Sequence, residues 1–135
     1  DYVIIDCPPS LGQLTINGLN AAREVMVPID GSFFALRGMT KLRETIDEVR
    51  GHNNPKLRIS GLFSTRLTGR QRLDRTVRGE LEEHFNAELF ETAIHQNVSL
   101  GEAPACGMDI FTYKASSRGA EDYALLCGEI IKQEA

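Results

Sequence analysis

Asp6 is the first residue placed to do chemistry. It follows Val3-Ile4-Ile5, so its carboxylate stands at the carboxyl end of what reads as a buried parallel strand over residues 2–6. Ligands bind outside that end in α/β folds. An apolar run closed by Asp is also half of a phosphate site, in which the Asp holds Mg²⁺, directly or through water, beside a glycine-rich loop. The same residue type also ends strands by capping a turn or helix, and the run alone fits both roles. Cys7-Pro8-Pro9-Ser10-Leu11-Gly12 comes next. Its two prolines stiffen the exit and Gly12 permits a bend, as a loop that responds to a γ-phosphate would need.

A second constellation is electrostatic. Arg66, Arg70, Arg72, Arg75 and Arg78 surround a single Asp74, giving residues 66–78 a charge of +4. Residues 79–91 hold five Glu and no Lys or Arg, giving -5. The arginines fit a local patch for DNA phosphates. They fit equally a solvated helix with pairs such as Asp74–Arg78 and Arg78–Glu82.

The remaining reactive residues are scattered. His52, His84 and His95 have no metal-ligand spacing, and Cys7, Cys106 and Cys127 form no C-x-x-C pair. A disulfide scaffold or zinc ribbon is therefore not expected, and a reducing cytoplasm is. Cys7 reads as a small buried residue and Cys106 as a more exposed one.

These residues need a scaffold, and the chain is long enough for one. Its 135 residues are 41% hydrophobic and 25% charged, which suits one packed domain and argues against disorder. No apolar run could span a bilayer, and no signal peptide is visible. A net charge of -4 does not suggest a protein that coats nucleic acid by bulk charge. After strand 2–6, a helix is expected over 14–23 and a short strand over 25–29. Met39, Leu42, Ile46 and Val49 mark a helix closed by Gly51, and Leu57 to Thr65 alternates as a strand. Leu73, Val77, Leu81 and Phe85 mark another helix. Short strands are expected over 89–94 and 110–113, with a loop or short helix over 98–106 between them. A last helix begins at Ser117, with Tyr123, Leu126, Cys127, Ile130 and Ile131 as its apolar stripe. This alternation predicts a parallel α/β sheet covered on both faces.

Several segments resemble the ParA/Soj family of partitioning ATPases. They are residues 1–12 with Leu14-Thr15-Ile16-Asn17, Phe34-Ala35-Leu36-Arg37-Gly38-Met39, Asn97-Val98-Ser99-Leu100-Gly101-Glu102-Ala103-Pro104, and Ser117-Arg118-Gly119-Ala120-Glu121-Asp122-Tyr123. The resemblance runs through essentially the whole chain in the family's order. It implies a doubly wound, three-layer fold of the P-loop NTPase kind. It also implies an ATP- and Mg-dependent ATPase that dimerises on ATP, binds DNA non-specifically and is stimulated by a ParB-type partner. By the same resemblance, Asp6 is the Mg-site carboxylate, and Cys7, Pro8, Pro9, Ser10, Leu11 and Gly12 form the switch loop. Segment 33–39 lies near the dimer interface. Thr65, Gln96, Asn97, Val98 and Glu102 approach the nucleoside. Arg66, Arg70, Arg72, Arg75 and Arg78 are the candidate DNA contacts.

Two departures bear on this reading. No G-x-x-x-x-G-K-[ST] loop occurs in the 135 residues, so the amide cradle and lysine that neutralise the phosphates are missing. The chain therefore reads as the C-terminal half of a ParA-like ATPase domain. Alone it is expected to hold no ATP or Mg and to hydrolyse nothing. Many relatives read Ile-Pro-Arg-Asn-Val-Arg-Leu-Ser-Glu where this chain has Ile94-His95-Gln96-Asn97-Val98-Ser99-Leu100-Gly101-Glu102. Two arginines have become Gln96 and Ser99, which removes counterion release at both if they touch phosphate.

Other readings are a non-catalytic dimerisation or DNA-binding module, and a MinD-like positioning ATPase. The last helix carries Lys132 as its only lysine after Arg118, which argues against a basic membrane tail. A cytoplasmic protein without membrane attachment, nucleoid-associated if it keeps DNA binding, is the expectation. Strand 2–6 is also expected to leave an apolar edge that drives self-association. Sizing chromatography at high concentration checks this, and a clean monomer would contradict it.

Overall fold

The computed structural model describes residues 2–30, 34–67, 79, 81–83, 85 and 88–134, with backbone only at 34–37 and 134. The described helices and strands run in the order α1 (Gln13–Ala21), β1 (Glu24–Asp30), α2 (Phe34–His52), β2 (Arg58–Leu67), β3 (Ile94–His95), α3 (Val98–Ala105), α4 (Ile110–Lys114) and α5 (Arg118–Glu134). The strands form a parallel three-stranded sheet of order β1-β2-β3. Parallel neighbours need crossover connections, and α2 supplies the one between β1 and β2.

The chain divides into two compact units, residues 1–27 with 33–61, and residues 28–32 with 62–135. In the first, Leu19, Ile46, Val49 and Leu57 form the core, with Ile16, Val25, Leu42 and Ile59 against them. The expected spacing of Met39, Ile46 and Val49 thus becomes the buried face of α2. α2 runs through Gly51 to His52. Asn54 then closes α1, because its Nδ2 donates to the carbonyls of Leu19 at 3.0 Å and Ala22 at 2.7 Å. These are carbonyls that a helix end leaves without intrahelical partners. Asn54→Ala is expected to cost about 1 kcal/mol in urea unfolding, through acceptors left unmade. An unchanged midpoint would refute that role.

Residues 2–8 correct the expected strand. They adopt no regular secondary structure, and Val3 and Ile4 are 92% and 90% exposed. A buried strand needs ladder partners for its amides and a cover for both faces, and none of the three described strands pairs with this segment. It is tied instead to α1. The Thr15 hydroxyl donates to the Ser10 carbonyl at 2.6 Å, and a Cβ on Gly18 would lie 2.9 Å from Cys7 Sγ.

In the second unit, Leu62 is fully buried. Its N–H donates to Glu88 O at 2.7 Å, and its carbonyl accepts from Phe90 N at 2.8 Å. Phe90, Ile94 and Leu126 form one core, with Phe63, Leu100 and Ile130 against it. Ala103, Ile110 and Ala120 form another, also touched by Leu100. The strand expected over 89–94 shrinks to a bridge between Leu62 and Leu89 and the two residues of β3.

Residues 110–113, expected as a strand, lie in helix α4. Asp109 caps it by accepting from Thr112 N at 2.9 Å and Thr112 Oγ1 at 2.6 Å. Those two bonds hold the Asp109 carboxyl below its ordinary range. The stripe of α5 is also rotated. Asp122 and Leu126 are buried and Ile130 is half-buried, whereas Tyr123, Cys127 and Ile131 are exposed. Ser117 caps this helix as expected, its Oγ accepting from Ala120 N at 3.2 Å. The three cysteines are free thiols, with Cys7 half-buried and Cys106 and Cys127 exposed.

Candidate functional site

The second unit places a cavity of about 340 Å³ at the carboxyl ends of β2 and β3. Thr65, Arg66, Ile94, His95, Gln96, Asn97, Leu100, Gly101 and Tyr123 line it. Three local features build this wall. β2 pairs with β3 through Thr65 with Ile94 and Leu67 with His95, and a bulge lies between Thr65 and Leu67. Arg66 occupies the bulge with φ of 58°. A non-glycine residue in the left-handed region costs roughly 1–2 kcal/mol. Such strained positions cluster at ligand sites, and a bulge re-aims the side chain it carries.

The second feature is the entry to α3. Asn97 caps the helix by accepting from Ser99 N at 2.9 Å through its side-chain oxygen. The third is a polar clamp behind β3. Asp122 is 7% exposed, and its Oδ2 accepts from His95 N at 2.8 Å and lies 3.0 Å from His95 Nδ1. Asp122 thereby holds both the backbone and the ring of His95.

Of the expected nucleoside residues, Thr65, Gln96 and Asn97 converge on the cavity. Val98 and Glu102 do not line it; Val98 is 76% exposed, and Glu102 accepts from the Tyr113 hydroxyl at 3.2 Å. That bond, with the Glu102 charge, raises the Tyr113 phenol above its ordinary range. His95, Leu100 and Tyr123 were missed. The signal available for His95 was the substitution of a ring-bearing residue for the proline of the related motif.

Asp6 and residues 7–12 belong to the first unit. Asp6 is exposed. No cluster of three or more His, Cys, Asp or Glu suited to a metal occurs among the described residues. One exposed carboxylate fits Mg²⁺ held through water and a ligand's phosphates, and does not fit an all-protein cage. Of the candidate DNA contacts, Arg66 is exposed, while Arg70, Arg72, Arg75 and Arg78 lie outside the described residues. The helix expected around Leu73 and Val77 and the side chains of 34–37 lie outside them too. No described helix is long and apolar enough to cross a membrane.

Comparison with known proteins bears on this geometry. A family model described as an AAA domain matches residues 1–59. The chromosome-partitioning ATPase Soj of Treponema pallidum is 42% identical over 134 residues, covering 99% of this chain and 53% of the relative. The chromosome partitioning protein ParA of Caulobacter vibrioides is 41% identical over 133 residues, covering 98% and 50%. The sporulation initiation inhibitor protein Soj of Bacillus subtilis is 43% identical over 130 residues, covering 96% and 51%.

The chain is similar to ParA and Soj partitioning proteins over nearly its whole length. It spans about half the length of these curated relatives. The fold agrees with this family. Cobyrinic acid a,c-diamide synthase from Mycobacterium smegmatis, solved with ADP and magnesium, superposes with a TM-score of 0.67 at 30% identity, covering 87% of this chain and 41% of that one. The same enzyme with an ATP analogue and magnesium gives 0.64 at 33% identity, covering 87% and 42%. The chain thus has the α/β architecture of P-loop NTPases.

Proposed function

We propose that this chain supplies the magnesium-site carboxylate, the switch loop and the nucleoside wall of a ParA/Soj-type ATPase that partitions a chromosome or plasmid. The observation that carries the reading is the convergence of Thr65, Gln96 and Asn97 on one cavity at the carboxyl ends of parallel strands. Ligated magnesium would screen phosphate charge, and Asp6 would hold its water shell. Residues 7–12 would report the γ-phosphate. Val98 and Glu102 would complete the nucleoside side through α3. ATP would drive dimerisation and non-specific DNA binding through Arg66, Arg70, Arg72, Arg75 and Arg78, with a ParB-type partner stimulating turnover on the nucleoid. Without a lysine-bearing phosphate loop, the 135 residues alone would neither hold ATP tightly nor hydrolyse it.

The test uses the product of the full coding sequence in which this chain lies. Asp6→Asn is expected to lower the ATP hydrolysis rate by about 100-fold or more, since it removes the charge that orders the metal. Unchanged turnover would defeat the assignment. ATP-dependent retardation of non-specific duplex should weaken steeply with salt, and Arg66→Ala should reduce the log–log slope by about one. A slope that Arg66→Ala leaves unchanged removes that residue from the DNA surface.

A further inference from the structure

We propose that His95 is a specificity-determining residue of the cavity, presenting Nε2 as a fixed hydrogen-bond acceptor to an N–H or O–H donor of a bound adenine nucleoside. The inference rests on the nucleoside reading of the cavity given above.

The polarity follows from Asp122. A carboxylate accepts hydrogen bonds and donates none. Its Oδ2 lies 3.0 Å from His95 Nδ1, so the neutral ring carries its hydrogen on Nδ1 and leaves Nε2 bare. The second bond on the same oxygen, from His95 N at 2.8 Å, fixes the backbone under the ring. Asp122 is 7% exposed, so water competes weakly for it. The His95 side chain keeps 25% exposure and forms part of the cavity wall.

The neighbours sharpen the effect. Arg66 can only donate, and the side-chain oxygen of Asn97 already accepts one bond, from Ser99 N. A bare ring nitrogen beside these donors favours a ligand that brings a hydrogen to it. Adenine does so with its exocyclic amine, and a ribose does so with a hydroxyl. A 6-oxo purine puts an acceptor where the amine would be, and two acceptors repel. Proline at this position would supply neither the N–H held by Asp122 nor a ring acceptor.

Two measurements on the product of the full coding sequence in which this chain lies test the proposal. Long-range ¹H–¹⁵N spectra at about pH 8, where an ordinary imidazole is neutral, should show Nδ1 of His95 protonated and Nε2 bare. His95→Phe assigns the signals. A ring protonated at Nε2 overturns the proposal whatever the ligand does. Nucleoside binding is then followed through the amide signals of Thr65 and Gly101. Adenosine is expected to bind about tenfold more tightly than inosine, the size of one net hydrogen bond. The preference should vanish in His95→Phe and shrink in Asp122→Asn, which no longer demands hydrogen on Nδ1. If 2′-deoxyadenosine loses the tenfold and inosine does not, the donor is the ribose hydroxyl and the acceptor role of Nε2 stands. A preference that survives His95→Phe, or equal binding of all three nucleosides, overturns the role of His95 and leaves the cavity a nucleoside site. If no nucleoside moves those amides, the nucleoside reading falls and takes the proposal with it.

Discussion

Replacing Gly119 with alanine is expected to lower the free energy of unfolding by about 1–3 kcal/mol, the usual cost of forcing an extra group into a packed interior. The sign is what makes the experiment informative. Glycine inside a helix is ordinarily worse than alanine by about 1 kcal/mol, so a helical Gly→Ala change normally stabilises. Gly119 lies in the first turn of α5, where an added Cβ would come within 2.6 Å of Leu100 Cγ and within 2.9 and 3.0 Å of its two methyl carbons. The Leu100 branch point cannot swing aside freely, because its side chain packs against both cores of the second unit. Gly128, two to three turns further along the same helix, has no atom within 4 Å of its added Cβ. Gly128→Ala should therefore raise stability by about 0.5–1 kcal/mol. Urea unfolding of both variants gives the comparison, and two shifts of the same sign would refute the close approach of α3 and α5. Leu100 also lines the cavity, so Gly119→Ala should disturb the Thr65 and Gly101 amides and Gly128→Ala should not.

That pair of glycines shows where the sequence could and could not be read. The segment Ser117 to Tyr123 advertises its helix start through the cap, and the structure agrees. Nothing in it says which glycine meets a neighbour, because that depends on a leucine 19 positions away. Helices α1 and α2 and strands β1 and β2 were legible, since their periodicity is a local record of one buried face. Residues 110–113 misled because a short run of β-branched and aromatic residues fits a strand or a helical turn equally well, and the Asp109–Thr112 cap decides for the turn. The α5 stripe misled by one position, since burial of Asp122 was not legible without its partner at His95. Residues 2–6 misled for a third reason. Their composition records a demand for neighbours on both faces, and the described sheet does not supply them. Of the site, Thr65, Gln96 and Asn97 came from resemblance, and the fold brings them to one cavity. The Asp122–His95 clamp is tertiary, spanning 27 positions, and carries no pattern of its own.

The second large effect concerns the half-buried Glu129 of α5. Its Oε1 accepts from Glu91 N at 2.7 Å and its Oε2 accepts from Thr92 N at 3.0 Å. These two amides begin the turn that leads from Phe90 into β3, so one carboxylate fixes the approach to the cavity wall. Burial by itself would push this carboxyl up. The bond from the Thr92 side chain, the two amides and the charge of Lys132 outweigh it and hold the group below the ordinary 4.5. A carboxylate with a lowered pKa in the folded state contributes its full stability above the unfolded value and loses it as pH falls through the folded one. Glu129→Ala should therefore cost about 1–2 kcal/mol near neutral pH, from two charge-assisted bonds that the partly exposed surroundings screen. Glu129→Gln keeps one acceptor but turns an amide N–H toward a backbone N–H, so it should cost nearly as much. The gap between wild type and either variant should narrow steadily below pH 4.5 as the wild-type carboxyl takes up its proton. Urea unfolding at several pH values from neutral downward reads that gap directly. A gap of constant size across the range would mean that Glu129 acts through packing alone, and that its charge does not hold the Glu91–Thr92 turn.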